Sequence, residues 1–180
     1  MTETFLGPNP SVEDSWRAIV RIRWIVSSYR FALARTLLDL KPASGQLVPI
    51  EDLALPFAAH ICEHLRVADR QGTFLSSRFL DACRRANAGQ ITQDELRETF
   101  LSTGVDNLID AFHFFDVGAE VPIAFFTVER TDSANGIRMT DAFAALLERD
   151  QSGSLAAEVE SRWREVETAW EQDEGGFEFL

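Results

Sequence analysis

Between Glu120 and Thr140 the hydrophobic pattern changes period, and no other feature limits the fold as strongly. Elsewhere apolar residues recur at three- and four-residue spacing. Here "EVPIAFFTVER", the polar turn "TDSANG" and "IRMT" form two extended runs joined by a turn, the pattern of a β-hairpin. One hairpin embedded among helices predicts an α+β chain that is mostly α-helical.

The helical part begins with a long segment. Ser11 is placed to cap a helix with Asp14 three residues on, and Pro42 with Gly45 closes the far end. Apolar side chains spread around most of this helix, which predicts a continuous N-terminal spine of about 28 residues buried on more than one side. Leu53, Phe57, Ile61 and Leu65 then mark an amphipathic helix, which either begins near Pro56 or is kinked there. "SSRFLDACRRANAG" and "ITQDELRETFLSTG" follow, the first ended by Asn87 and Gly89, the second opened by a Thr92–Glu95 capping box and stopped at Gly104. "VDNLIDAFHFF" is a short helix before the hairpin, and Thr140 is placed to cap "DAFAALLERD". Leu155, Val159, Trp163, Val166 and Trp170 form the stripe of the last helix.

Three helices followed by a hairpin is the element order of a winged helix-turn-helix. The expected organisation is one domain of 1–180: a helical part (1–72), a winged-helix-like unit (73–150), a C-terminal helix (151–172) and an acidic, aromatic tail (173–180). The would-be recognition helix carries Asp106, Asp110 and Asp116 without lysine or arginine, which argues against groove entry.

Charge narrows the partners. Formal net charge is −12, which opposes non-specific attraction to nucleic acid or anionic membrane. Against that background Arg17, Arg21, Arg23, Arg30 and Arg35 follow one another with no acid between Asp14 and Asp39. Two readings compete: acidic helices elsewhere neutralise these arginines, or they meet phosphate or an acidic partner. Any direct nucleic-acid contact is expected here, and weak. Two cysteines, no charged apolar leader and no apolar run of membrane-spanning length place the chain in the cytoplasm, without a membrane role.

His60, Glu63 and His64 spell H-x-x-E-H, the inverted zinc-hydrolase pattern, in which two imidazoles one turn apart hold a metal and the glutamate is the base. Such a site also needs a third ligand, which no pattern here selects, and Phe57, Ile61 and Leu65 place His64 beside a packed face. A scaffold helix is the preferred reading; Glu63 as catalyst and His60 with His64 as metal ligands are the alternative, and no cofactor is expected. His113, near Asp110 and Asp116, reads as structural rather than as a general base. Trp163 and Trp170, with Phe177, Phe179 and Leu180 beyond Gly175 and Gly176, are the candidate contacts for a protein partner or a second copy.

The segments "NPSVEDSWRAIV", "PFAAHICEHL", "FLDACRRANAGQITQDELRETF", "NLIDAFHFF", "VPIAFFTVER" and "SRWREVETAW" together resemble the amino-terminal region of bacterial HNH-endonuclease-like proteins, over residues 9–170. The resemblance implies nuclease chemistry in a later ββα-metal segment, with paired cysteines and a D-H step. Neither C-x-x-C nor D-H occurs in residues 1–180. The expectation is a non-catalytic recognition, regulatory or assembly module of a nucleic-acid-related system, working mainly through protein contact.

Overall fold

The computed structural model describes residues 6–22, 25–74, 76–103, 105–116 and 118–172, without the side chain of Asp116. Ser11 opens α1 (Val12–Val20) through a reciprocal cap: its hydroxyl accepts the Asp14 N–H at 3.1 Å, and the Asp14 carboxylate accepts the Ser11 N–H at 3.0 Å. The continuous spine does not form. Helix stops at Arg21 and restarts as α2 (Tyr29–Leu40).

The cause is local and tertiary together. Ile22, Ile25 and Val26 are β-branched and weak helix formers. Their stretch of backbone bonds elsewhere: Thr73 donates to the Val26 carbonyl at 2.8 Å, and Ser28 donates to the Gln71 carbonyl at 3.1 Å. A Cβ at Gly72 would stand 2.9 Å from the Phe74 ring and 3.0 Å from the Val26 oxygen, so this close approach requires glycine.

Strand β1 (Leu47–Pro49) leads directly into α3 (Ile50–Leu65), which runs through Pro56 rather than starting there. Helix α4 (Arg78–Asn87) is capped by Ser77, which the sequence reading did not single out, and α5 (Gln93–Ser102) carries the Thr92–Glu95 box the sequence announces. Next come α6 (Val105–Ala111), a small antiparallel pair of β2 (Phe114–Asp116) with β3 (Ala119–Glu120), and the expected hairpin, β4 (Phe126–Arg130) with β5 (Asn135–Met139). Helices α7 (Asp141–Arg149) and α8 (Ser154–Gln172) complete the chain. Thr140 precedes α7 without capping it; its hydroxyl donates to the Ala124 carbonyl at 2.7 Å.

The architecture is mostly α-helical α+β. The hairpin belongs to a three-stranded sheet of order β1–β5–β4, with Val48 opposite Ile137 and Ile137 opposite Val128. Strand β1 thus reaches the hairpin from before residue 72, and α3 packs on α4 and α5 from across the same position. A Cβ on Gly136 would lie 2.3 Å from the Val48 carbonyl oxygen, so the β1–β5 approach depends on that glycine.

Large aromatic side chains fill the interior. Trp16 meets Phe112 and Phe125 edge-on at 5.9 and 5.2 Å, while Phe57, Phe79 and Phe100 form a second group under α3. Both belong to one buried apolar cluster that reaches from Leu6 to Trp170. Each such ring contributes about 1.5–3 kcal/mol by leaving water. Among the described residues no helix is long and apolar enough to cross a membrane.

Candidate functional site

Helix α3 presents three faces, and the residues of H-x-x-E-H divide among them. Phe57 and Ile61 point into the core. His60 and His64, one turn apart, turn toward α2 and α8. Glu63, three residues after His60, is exposed on the flank that borders the α4–α5 side.

His64 is 5% exposed and lies flat on Trp163, ring centroids 3.5 Å apart and planes within 3°. Its Nδ1 is 2.6 Å from Glu167 Oε1 and its Nε2 is 3.0 Å from Glu160 Oε2, both acids on α8. Gln71 closes the network: its amide donates to Glu167 at 2.7 Å and to the Ala68 carbonyl at 3.0 Å, and its oxygen accepts the Trp163 indole N–H at 2.9 Å. Burial alone would lower the His64 pKa. The hydrogen bonds and charges of Glu160 and Glu167 outweigh it, and the pKa rises above 6.5. The protonated ring donates from both nitrogens, and the same bond holds the Glu160 carboxyl below its ordinary range.

His60 bonds a different acid, Asp39 Oδ2 on α2 at 2.7 Å. The two imidazoles therefore share no carboxylate, His60 bonding Asp39 and His64 bonding Glu160 and Glu167, and among the described residues no group of three or more His, Cys, Asp or Glu is arranged to hold a metal. His64, the second histidine of the metal alternative, has both ring nitrogens engaged by Glu167 and Glu160. The arrangement ties α2, α3 and α8 together.

The arginine series is largely absorbed within the chain. Arg17 makes a two-pronged pair with Glu158, at 2.8 and 3.0 Å, which keeps that carboxyl low. Arg35 contacts Glu160 at 3.4 Å and Asp39 at 3.6 Å. Arg30 takes no acid; its guanidinium donates to the carbonyls of Phe112, Phe114 and Ala111 at 2.6, 2.9 and 3.1 Å, closing the C-terminal end of α6, and burial pushes it down to about 10. Arg21 is exposed at the end of α1, and Arg23 lies outside the described residues. Of the two competing readings, Arg17 and Arg35 show the internal pairing with acids, and Arg30 bonds backbone carbonyls.

Trp163 and Trp170 are likewise corrected as partner contacts, because both are 0% exposed in the chain's own core. Phe177, Phe179 and Leu180 lie outside the described residues. His113 is structural: its Nε2 accepts the Phe125 N–H at 2.9 Å, and burial, with the Arg30 charge, pushes its pKa down to about 4.

Sequence reasoning missed the acidic half of the buried network. Glu160, Trp163 and Glu167 stand at i, i+3 and i+7, so the two acids share the apolar stripe of α8, a pattern that signals a buried polar partner. It also missed a groove. Along the exposed side of α3, Leu55, Pro56, Ala59, Cys62, Glu63 and Arg66 face Ala86 and Asn87 at the end of α4 and Ile91, Gln93 and Leu96 at the start of α5. The groove has a volume of about 670 Å³. Compared with known proteins, the chain matches no family model, no curated protein and no solved structure.

Proposed function

We propose that the protein is a non-catalytic recognition module that binds an amphipathic helix of a partner protein in the groove between α3, α4 and α5. The observation that carries this is the apolar floor of the groove. Leu55, Ala59 and Cys62 recur at helical spacing on a rigid helix, with Ile91 and Leu96 opposite, the surface that helix-in-groove recognition uses. Charge selects the partner. The chain carries −12, three of its N-terminal arginines are bound internally, and the groove lining itself carries one acid, Glu63, and one base, Arg66, so the overall negative charge sets the preference. A helix with basic flanks around an apolar stripe fits these conditions. Two free, buried cysteines support a reducing, cytoplasmic setting. The resemblance of the chain's segments to the amino-terminal region of HNH-endonuclease-like proteins supports a partner from a nucleic-acid-processing system.

A synthetic leucine-striped helical peptide with lysine flanks tests the reading by titration into isotope-labelled protein. Amide shifts are expected at residues 55–66 and 86–96, with binding at least tenfold weaker in Ala59→Arg, a change at an exposed position that leaves the circular dichroism intact. Shifts confined to other surfaces, or equal binding of a glutamate-flanked peptide, would overturn it. Tight, salt-tolerant retention of duplex DNA in a parallel measurement would favour direct nucleic-acid recognition instead.

A further inference from the structure

The two cysteines stand apart in sequence and meet in the fold. Cys62 on α3 and Cys83 on α4 face each other where the helices pack, with Cys62 Sγ 3.7 Å from the Cys83 carbonyl oxygen. Both are free thiols. Their surroundings differ: Cys83 is 0% exposed, whereas Cys62 is 9% exposed and lines the α3–α4–α5 groove one turn before Arg66. An oxidant entering the groove therefore reaches Cys62 first, and Cys83 waits behind it.

We infer that Cys62 and Cys83 are an intramolecular disulfide site that closes on reaction with a hydroperoxide, Cys62 acting as the nucleophile and Cys83 as the resolving thiol. The Cys62 thiolate attacks the outer peroxide oxygen, the O–O bond breaks, and Cys62 becomes a sulfenic acid while the alcohol or water leaves with the proton Cys62 gave up. The Cys83 sulfur then attacks the Cys62 sulfur, its proton leaves with the hydroxyl as water, and the S–S bond forms. In sum two thiols lose two hydrogens, and the peroxide is reduced to water or alcohol. The electrostatics favour this division of labour. The contact with Cys83 lowers the Cys62 thiol against the effect of burial, with help from Arg66, while the same contact and burial raise Cys83. Bond formation asks the sulfurs to close to about 2 Å, across helices already in contact.

The test is treatment of the folded protein with hydrogen peroxide, followed by alkylation, digestion without reductant and mass spectrometry, with circular dichroism confirming the fold before digestion. The expected product is a monomer lighter by two hydrogens in which the Cys62 and Cys83 peptides are joined, restored by a dithiol. In Cys83→Ser the reaction is expected to stop at a Cys62 sulfenic acid that dimedone captures. Three results in the wild-type chain overturn the inference: a Cys62–Cys62 dimer between molecules, sulfinic acid on Cys62 with Cys83 still reduced, or no oxidation until denaturant is added. The wild-type outcome decides even where a variant folds poorly.

Discussion

Replacing His64 by phenylalanine separates the charge of the buried network from its shape. The new ring keeps the stack on Trp163, 3.5 Å away, but both nitrogens are gone. Glu167, whose side chain is 5% exposed, is left with the Gln71 amide at 2.7 Å as its hydrogen-bond donor. Removing one member of a buried charge pair costs about 3–5 kcal/mol, because the remaining charge is stranded. Glu160, whose side chain is 26% exposed and which keeps Arg35 at 3.4 Å, adds less than about 1 kcal/mol. The expected loss is therefore about 3–5 kcal/mol at pH 6, measured by urea unfolding with tryptophan fluorescence.

A second variant supplies the control. His64→Phe combined with Glu167→Gln removes the stranded charge and should be more stable than His64→Phe alone, since an apolar replacement of a buried pair is often tolerated. The double variant is also the proper reference for pH. The folded pKa of His64 is raised, so its contribution is fully present below about 6.5 and is lost as pH rises through the folded value. The advantage of the wild-type chain over the double variant should shrink accordingly. A loss below about 1 kcal/mol in His64→Phe, or an advantage that grows with pH above 6.5, would refute the reasoning.

Three further outcomes can be checked on the same footing. His113 has the opposite sign: its folded pKa is pushed down to about 4, so the unfolded chain binds the extra proton first and stability falls as pH drops from 6.5 toward 4. His113→Gln keeps an acceptor for the Phe125 N–H and should flatten that acid limb in urea melts; an unchanged slope contradicts the assignment. Gly136→Ala drives a methyl to 2.3 Å from the Val48 carbonyl and should cost at least about 1–3 kcal/mol in thermal or urea unfolding, whereas a neutral result would mean β1 is not seated on β5. Arg30→Met removes the donor to three carbonyls and should raise hydrogen exchange through residues 105–116 while lowering stability by about 1–3 kcal/mol; protection unchanged in that segment would exclude the cap.

What could be read from the sequence was local. The caps at Ser11 and Thr92 follow from side chains bonding within a few residues of themselves, the α4 end from the left-handed backbone of Gly89, and the hairpin around "TDSANG" from its turn residues, and they form as expected. What failed depended on distant strands of chain. The N-terminal helix breaks where residues 26–28 bond to 71–73, and the hairpin acquires β1 from residues far upstream. No periodicity within either segment encodes those partners. The candidate site fared similarly: the arginine series was visible as a charge anomaly, but its resolution required knowing that Glu158, Glu160 and the end of α6 come within reach of it.

The H-x-x-E-H motif illustrates why spacing underdetermines chemistry. Positions i and i+4 do bring His60 and His64 to one side of α3, as zinc ligation would need. Glu63, three residues after His60, sits on the adjoining flank, where it lines the groove. Which face becomes a site is then decided by what packs there. On the histidine side α8 supplies two carboxylates, and the imidazole of His64 is consumed as a cation between them at 2.6 and 3.0 Å. On the glutamate side α4 and α5 pack on α3 and leave beside the contact an open groove of mixed polar and apolar lining, with a thiol in its wall. A metal on His64 would have to displace two hydrogen bonds to buried or half-buried acids, whereas a helix entering the groove displaces water from its apolar walls. The second exchange is the favourable one, and the helix site proposed above accordingly lies on the face of α3 that the motif did not advertise.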